Sequence, residues 1–192
     1  MKFEEIVLRT RSYRRFDESD RIGRENLVRL VDMARLSASA TNRQSLRYLV
    51  HDSPGDCELI FPATAWAGYL KDWPGPEPGE RPTGYITLLR DTEVGDPFGV
   101  DHGICAQTIM LAATAMGYGG CMIGSIRKDL LRQNLKIGER YEILLVLALG
   151  KPVEKIKIDE IRHGDFKYWR EADGTHHVPK RHLHEVLLNL KS

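Results

Sequence analysis

Arg11, Ser12, Arg14 and Arg15 fall within five consecutive residues, just ahead of an acidic turn at Asp17, Glu18 and Asp20. Guanidinium groups take anions through planar, charge-assisted pairs, and a serine hydroxyl adds a neutral donor, so the run suits a compact phosphate site. It equally suits a solvated basic loop facing an acidic one. A second polar stretch, Ser37-Ala38-Ser39-Ala40-Thr41-Asn42-Arg43-Gln44, is rich in hydroxyls and amides. Carboxamides offer donors and acceptors together, which matches the edge of a heteroaromatic ring, although an ordinary polar loop has the same composition. A third stretch, Gly117-Tyr118-Gly119-Gly120, leads through Cys121-Met122-Ile123 to Gly124-Ser125. Such glycines form a helix C-cap and turn, or a flexible loop whose backbone N–H groups approach a ligand closely.

Other chemistries find little support. GxGxxG must follow a strand and open a helix, whereas Gly117-x-Gly119-Gly120 follows an apolar helical pattern, and no GxxxxGK[ST] or GxSxG run occurs. His176, His177, His182 and His184 stand at spacings that do not converge on one helical face, and no CxxC or HExxH accompanies them, so no metal site is expected. Cys121 has no histidine at a recognisable spacing and reads as a small buried hydrophobe rather than a nucleophile.

The elements that must position these groups follow from apolar periodicity. Val100–Met116 is apolar almost all round a helical wheel, which predicts a helix buried on every side that carries a flexible glycine loop at its end. Amphipathic helices are expected over residues 3–9, over Arg24–Leu36 and over Arg127–Leu135, the last with Ser125 available as N-cap. Strands are expected at 46–50, at 85–89 and, as a nearly continuous apolar run, at 141–149. The stretch from Pro62 to Gly84, with Trp66, Trp73 and several prolines, cannot be regular throughout and suits a lid, a subunit contact or a surface excursion. A charged linker follows Pro152. Then come an extended pair around Asp173-Gly174 and a short helix from about His182 to Leu190.

The length of 192 residues fits one domain with a full core, and 28 basic against 27 acidic residues leave a net charge of +1. No whole-chain field would recruit nucleic acid or an anionic membrane. The apolar runs are far shorter than the roughly 20 residues needed to span a bilayer, and MKFEEIVLRTRS places acidic residues where a signal peptide needs an apolar stretch. Three widely spaced cysteines suggest free thiols. A cytoplasmic protein without nucleic-acid or membrane partners is expected.

In order along the chain, R-S-x-R-R-F, the polar loop 37–44, D-x-G-I-x-A-Q at 101–107, G-Y-G-G-x-M-I-G at 117–124 and P-K-R at 179–181 resemble the FMN-dependent nitroreductase family. The resemblance covers nearly the whole chain. It implies an α+β fold with a central mixed, largely antiparallel sheet flanked by helices, one domain over residues 1–192, and an interlocked homodimer with FMN at the subunit interface and the central helix in its core. Arg11, Ser12 and Arg14, with Arg15, match the family's phosphate-binding run. Ser39, Asn42 and Gln44 match the stretch contacting the ribityl chain and isoalloxazine. Ile123, Gly124 and Ser125 match the loop whose backbone approaches flavin N5, and Lys180 and Arg181 match a basic pair returning to the phosphate. The implied activity is reduction of nitroaromatics, quinones or related electron-poor small molecules by NADH or NADPH in two half-reactions. The flavin carries the chemistry, and no side chain need be a catalytic nucleophile. A reductive dehalogenase, an ene-type reductase or a non-catalytic flavin-binding protein would use the same cofactor residues. Thr10, where many members carry an arginine, Ala38 in place of a common proline, and Ser45-Leu46 in place of a frequent Pro-Trp depart from the pattern.

Overall fold

The structure is a computed structural model that describes residues 1–95 and 99–189. Phe98, which precedes the central helical pattern, and Leu190, the expected end of the last helix, lie outside the described residues. The chain packs as two compact units, Met1–Trp66 with Gly75–Val153, and Ala67–Pro74 with Glu154–Ser192.

The first unit is built on an antiparallel sheet in which β5 (Tyr141–Pro152) is the common partner. One edge of β5 takes β3 (Gly84–Asp91), which pairs in turn with β2 (Leu46–His51). The other edge is shared end to end by β1 (Phe16–Asp17), opposite Pro152 and Lys151, and β4 (Gly119–Ile123), opposite Gly150 to Val146. A parallel bridge between Ser12 and Gly120 extends the sheet beyond β4. Alternation along β3 sends Ile86 and Leu88 to one face. There they join Leu27, Leu30 and Ala34 of α2 (Arg24–Ala34) and Cys105, Ala106, Ile109, Met110 and Ala113 of α4 (Asp101–Ala115) in one core. Tyr85, pointing the other way, lines a cavity with Cys57 of α3 (Pro54–Ile60). Helix α5 (Lys128–Leu135) packs beside α3, and α1 (Phe3–Arg9) lies against α4.

Two expectations for the central stretch change. Helix α4 is not buried all round within one chain: its core face carries Asp101, Cys105, Ala106, Ile109, Met110, Ala113 and Thr114, while Ile104 remains 42% exposed and Ala115 is also exposed. A single neighbouring layer can cover only one side of a helix. The glycine loop is also shorter than expected, because Gly119 and Gly120 open strand β4 and only Gly117 adopts a left-handed φ, of 83°. The reason for glycine here is space. A Cβ on Gly120 would sit 2.6 Å from the Ala148 carbonyl oxygen, and one on Gly119 would sit 2.7 Å from the Tyr13 ring. Helix α5 is preceded by Arg127 rather than capped by Ser125.

In the second unit β8 (His176–Lys180) pairs in parallel with β6 (Ile156–Glu160) and antiparallel with β7 (Trp169–Arg170). The expected extended pair around Asp173-Gly174 is therefore present. The expected charged linker instead contains β6, whose alternation in IKIDE is short and mostly charged. A buried Glu154 pairs with Arg170, whose guanidinium lies 4.4 Å from the Trp73 ring centre. The last helix, α6, covers only Leu183–Val186.

Gly120→Ala should lower the unfolding free energy by about 2 kcal/mol through overpacking against backbone that cannot yield. Gly55→Ala, at a helical position with nothing within 4 Å of the added Cβ, should be neutral or raise it by up to about 1 kcal/mol. Urea unfolding of both variants checks the contrast.

Candidate functional site

Residues Arg11 to Arg15 are held against the start of β4. The Tyr13 amide donates to the Gly120 carbonyl at 2.9 Å, and the Tyr13 ring covers Gly119. Just before this run, the Thr10 hydroxyl lies within hydrogen-bond distance of both Ile6 O, at 2.7 Å, and the Thr114 hydroxyl of α4, at 2.9 Å. Arg14 is 9% exposed and donates to Ser12 O at 3.1 Å, while Ser12 itself is exposed. Arg11 donates one terminal nitrogen to Val7 O, yet its buried Nε has no hydrogen-bond partner among the described residues. Burial pushes the Arg11 pKa below its ordinary value, with Tyr13 pulling weakly the other way. A half-buried guanidinium with an unsatisfied donor is a site for an acceptor, best a charged one. Arg15 is differently placed, since its guanidinium grips Glu80 fork to fork, with Nε 2.6 Å from Oε2.

Strand β4 leads from beside this cluster to the predicted Ile123–Ser125 group. Gly120 to Ile123 spans about 10 Å at roughly 3.3 Å per residue. Ile123 is buried at the strand's end, whereas Gly124 and Ser125 emerge at the surface. A Cβ on Gly124 would meet only Leu145 Cδ1, at 4.0 Å, so the backbone there faces open space. The Ala65 amide takes the Ser125 carbonyl at 3.0 Å and fixes the exit from the strand.

The 39–44 loop is elsewhere. The Ser39 hydroxyl donates to Asp101 Oδ2 at 2.6 Å, the Ala40 amide donates to Asp101 Oδ1 at 3.0 Å, and the Gln44 amide donates back to the Ser39 hydroxyl oxygen at 2.9 Å. Within this short loop Thr41, Asn42 and Gln44 all take left-handed φ angles, of 51°, 56° and 51°. Asparagine tolerates that region, but β-branched threonine does not, and each such residue costs about 1–3 kcal/mol. Charge-assisted hydrogen bonds at about 1.5–3 kcal/mol each are the right size to offset the strain. The Asn42 and Gln44 side chains stay exposed, linked by Gln44 Nε2 to Asn42 Oδ1 at 3.3 Å. Beneath the loop a pocket of about 180 Å³ is lined by Ser37, Ser39, Tyr48, Asp101 and Cys105 among others. Burial raises the Tyr48 pKa well above its ordinary value, helped by Cys105 and Asp101.

Within one chain the two halves of the predicted site therefore do not meet. Thr114 anchors the arginine run and Asp101 anchors the 39–44 loop, near opposite ends of the 15-residue α4. That is about 20 Å at a rise of about 1.5 Å per residue. Lys180 and Arg181 belong to the second unit, where Lys180 ends β8 and Arg181 lies 3.5 Å from Glu185.

The nitroreductase family model matches residues 7–69 and 96–151, more than half of the chain. The chain belongs to the nitroreductase family. The match contains the arginine run, the 39–44 loop, α4 and β4, and stops before the second sheet. YodC of Bacillus subtilis (strain 168), named as a candidate NAD(P)H nitroreductase, is 28% identical over 179 residues, with 77% of this chain and 89% of YodC covered. A nitroreductase family protein from Clostridium novyi NT is similar in structure, with a TM-score of 0.65, 26% identity, and coverage of 79% of this chain and 86% of that one. A structure from Exiguobacterium sibiricum 255-15, solved in complex with FMN, shares the fold at a TM-score of 0.65 and 22% identity, covering 80% of this chain and 90% of that one.

Within this nitroreductase fold Asp101 opens the D-x-G-I-x-A-Q run, a motif that by itself gives the carboxylate no role. Its signal was a lone acidic residue opening an otherwise apolar helix. Replacing strained Thr41 with glycine should raise the unfolding free energy by about 1 kcal/mol, since glycine takes φ > 0 without the β-branched penalty. Chemical denaturation of Thr41→Gly against the native chain measures it.

Proposed function

We propose that the chain is an FMN-dependent NAD(P)H oxidoreductase that reduces nitroaromatics, quinones or related electron-poor small molecules and works as a homodimer. The observation that carries the cofactor is the buried Nε of Arg11, without a hydrogen-bond partner among the described residues and set, with Ser12 and Arg14, against the start of the strand after which the backbone opens at Gly124. The residues present fit FMN: a cationic end suits its phosphate, and an uncrowded backbone end suits a flat ring. The FMN held by the Exiguobacterium protein and the name carried by YodC support the same reading.

When bound, FMN supplies a carrier that takes a hydride equivalent from NADH or NADPH and passes electrons to the acceptor. Arg11, Ser12 and Arg14 hold the phosphate, while Arg15 braces the run through Glu80. The Ile123–Ser125 backbone fixes the ring, and Asn42 and Gln44 offer amide donors and acceptors to its polar edge.

The separation along α4 supports a dimer. A two-fold pairing that sets α4 against α4 of a second copy, antiparallel, brings the 39–44 loop of each chain beside the arginine run of the other. The face available for that contact is apolar: Ile104 and Ala115 of α4 are exposed, as are Phe3 at 65% and Leu8 at 61% on neighbouring α1. Among the described residues no helix is long and apolar enough to cross a membrane.

Purified protein should show a flavin absorption band that bleaches on anaerobic addition of NADH or NADPH. Arg11→Ala should weaken FMN binding by about tenfold or more, in line with loss of one charge-assisted contact. Ile104→Glu should shift the protein to monomer in analytical ultracentrifugation and release the flavin with it. No flavin band after reconstitution with FMN would overturn the reading.

A further inference from the structure

The hydroxyl of Ser39 is committed on both sides: it gives its proton to Asp101 and accepts from the Gln44 amide. It therefore has no proton to offer a ligand in this arrangement. What the loop presents outward is the exposed pair Asn42 and Gln44, both in left-handed backbone that an unrestrained chain would leave. Asp101 is 2% exposed, belongs to the first turn of α4, and accepts from both the Ser39 hydroxyl and the Ala40 amide, so it grips the loop at its entry. Its attraction to the positive end of the helix holds the carboxylate in place.

We infer that Asp101 is a positioning residue: through Ser39 it locks residues 39–44 in the strained geometry that offers Asn42 and Gln44 to the cofactor, and Ser39 is a link in that lock rather than a ligand contact. This deepens the reading of the site as an FMN site and rests on it. The lock has two separable bonds. Asp101 holds the Ala40 amide directly, and it holds the Gln44 amide only by way of the Ser39 hydroxyl.

Residue-resolved amide hydrogen exchange on the full-length protein without FMN reads the two bonds separately. Ser39→Ala should speed exchange at Gln44 by about tenfold while Ala40 stays slow; Asp101→Ala should speed both; Ser39→Thr, which keeps the hydroxyl, should leave both slow. FMN affinity, followed by quenching of flavin fluorescence, should fall by about tenfold in Ser39→Ala and Asp101→Ala and recover in Ser39→Thr. Unchanged exchange at Ala40 and Gln44 in both alanine variants would overturn the inference. So would released amides with native FMN affinity. If the native protein itself fails to bind FMN, the cofactor reading falls, and the exchange pattern still decides whether Asp101 locks the loop. Should Asp101→Ala not fold, the Ser39 pair carries the test.

Discussion

Everything attributed to the site depends on the packing of α4 across the β3–β5 face. The helix buries Cys105, Ala106, Ile109, Met110 and Ala113 in the core shared with α2 and the sheet, at about 1.5–3 kcal/mol for each fully buried large side chain. That makes it a rigid strut. Because Asp101 and Thr114 also lie on its buried face, the same packing fixes where the 39–44 loop and the arginine run are moored. A loose helix would leave both moorings free to wander.

Two kinds of close fit then refine the positions. Around β4 the fit is steric: Gly119 and Gly120 let the Tyr13 ring and the Ala148 carbonyl approach, which draws the arginine run against the strand that ends at Ile123. Around the loop it is electrostatic, with one buried carboxylate restraining backbone that three left-handed residues would otherwise relax. Binding elements held in this way lose little freedom when a ligand arrives, which is how a protein converts folding energy into affinity.

Much of this was legible in the sequence because local patterns agree with the global fold. The period of α2, the alternation of β2 and the unbroken apolar run of β5 each predict the element found. Grouping Arg11, Ser12 and Arg14 needed only their proximity in sequence. What could not be read is what depends on distant neighbours. An apolar helical wheel shows that α4 avoids water, but not which side of it the rest of the chain covers. Gly119 and Gly120 look like a loop until Tyr13 and Ala148 are in place to crowd them. Helix α3 and strand β6 were too short and too polar to signal themselves, and the links from Asp101 to Ser39 and from Arg15 to Glu80 join residues about 60 positions apart. The separation of the two half-sites is a property of the strut alone.

The claim that matters most is that each cofactor site takes its arginine run from one chain and its 39–44 loop from another. Heterodimers formed by co-producing an Arg11→Ala chain with an Asn42→Ala, Gln44→Ala chain test it directly, by measuring FMN bound per dimer. If the halves come from different chains, one of the two sites regains both intact parts, and the heterodimer binds one FMN with native affinity although neither parent homodimer does. If both halves come from the same chain, every site keeps a defect, and a heterodimer that binds no better than its parents would contradict the account.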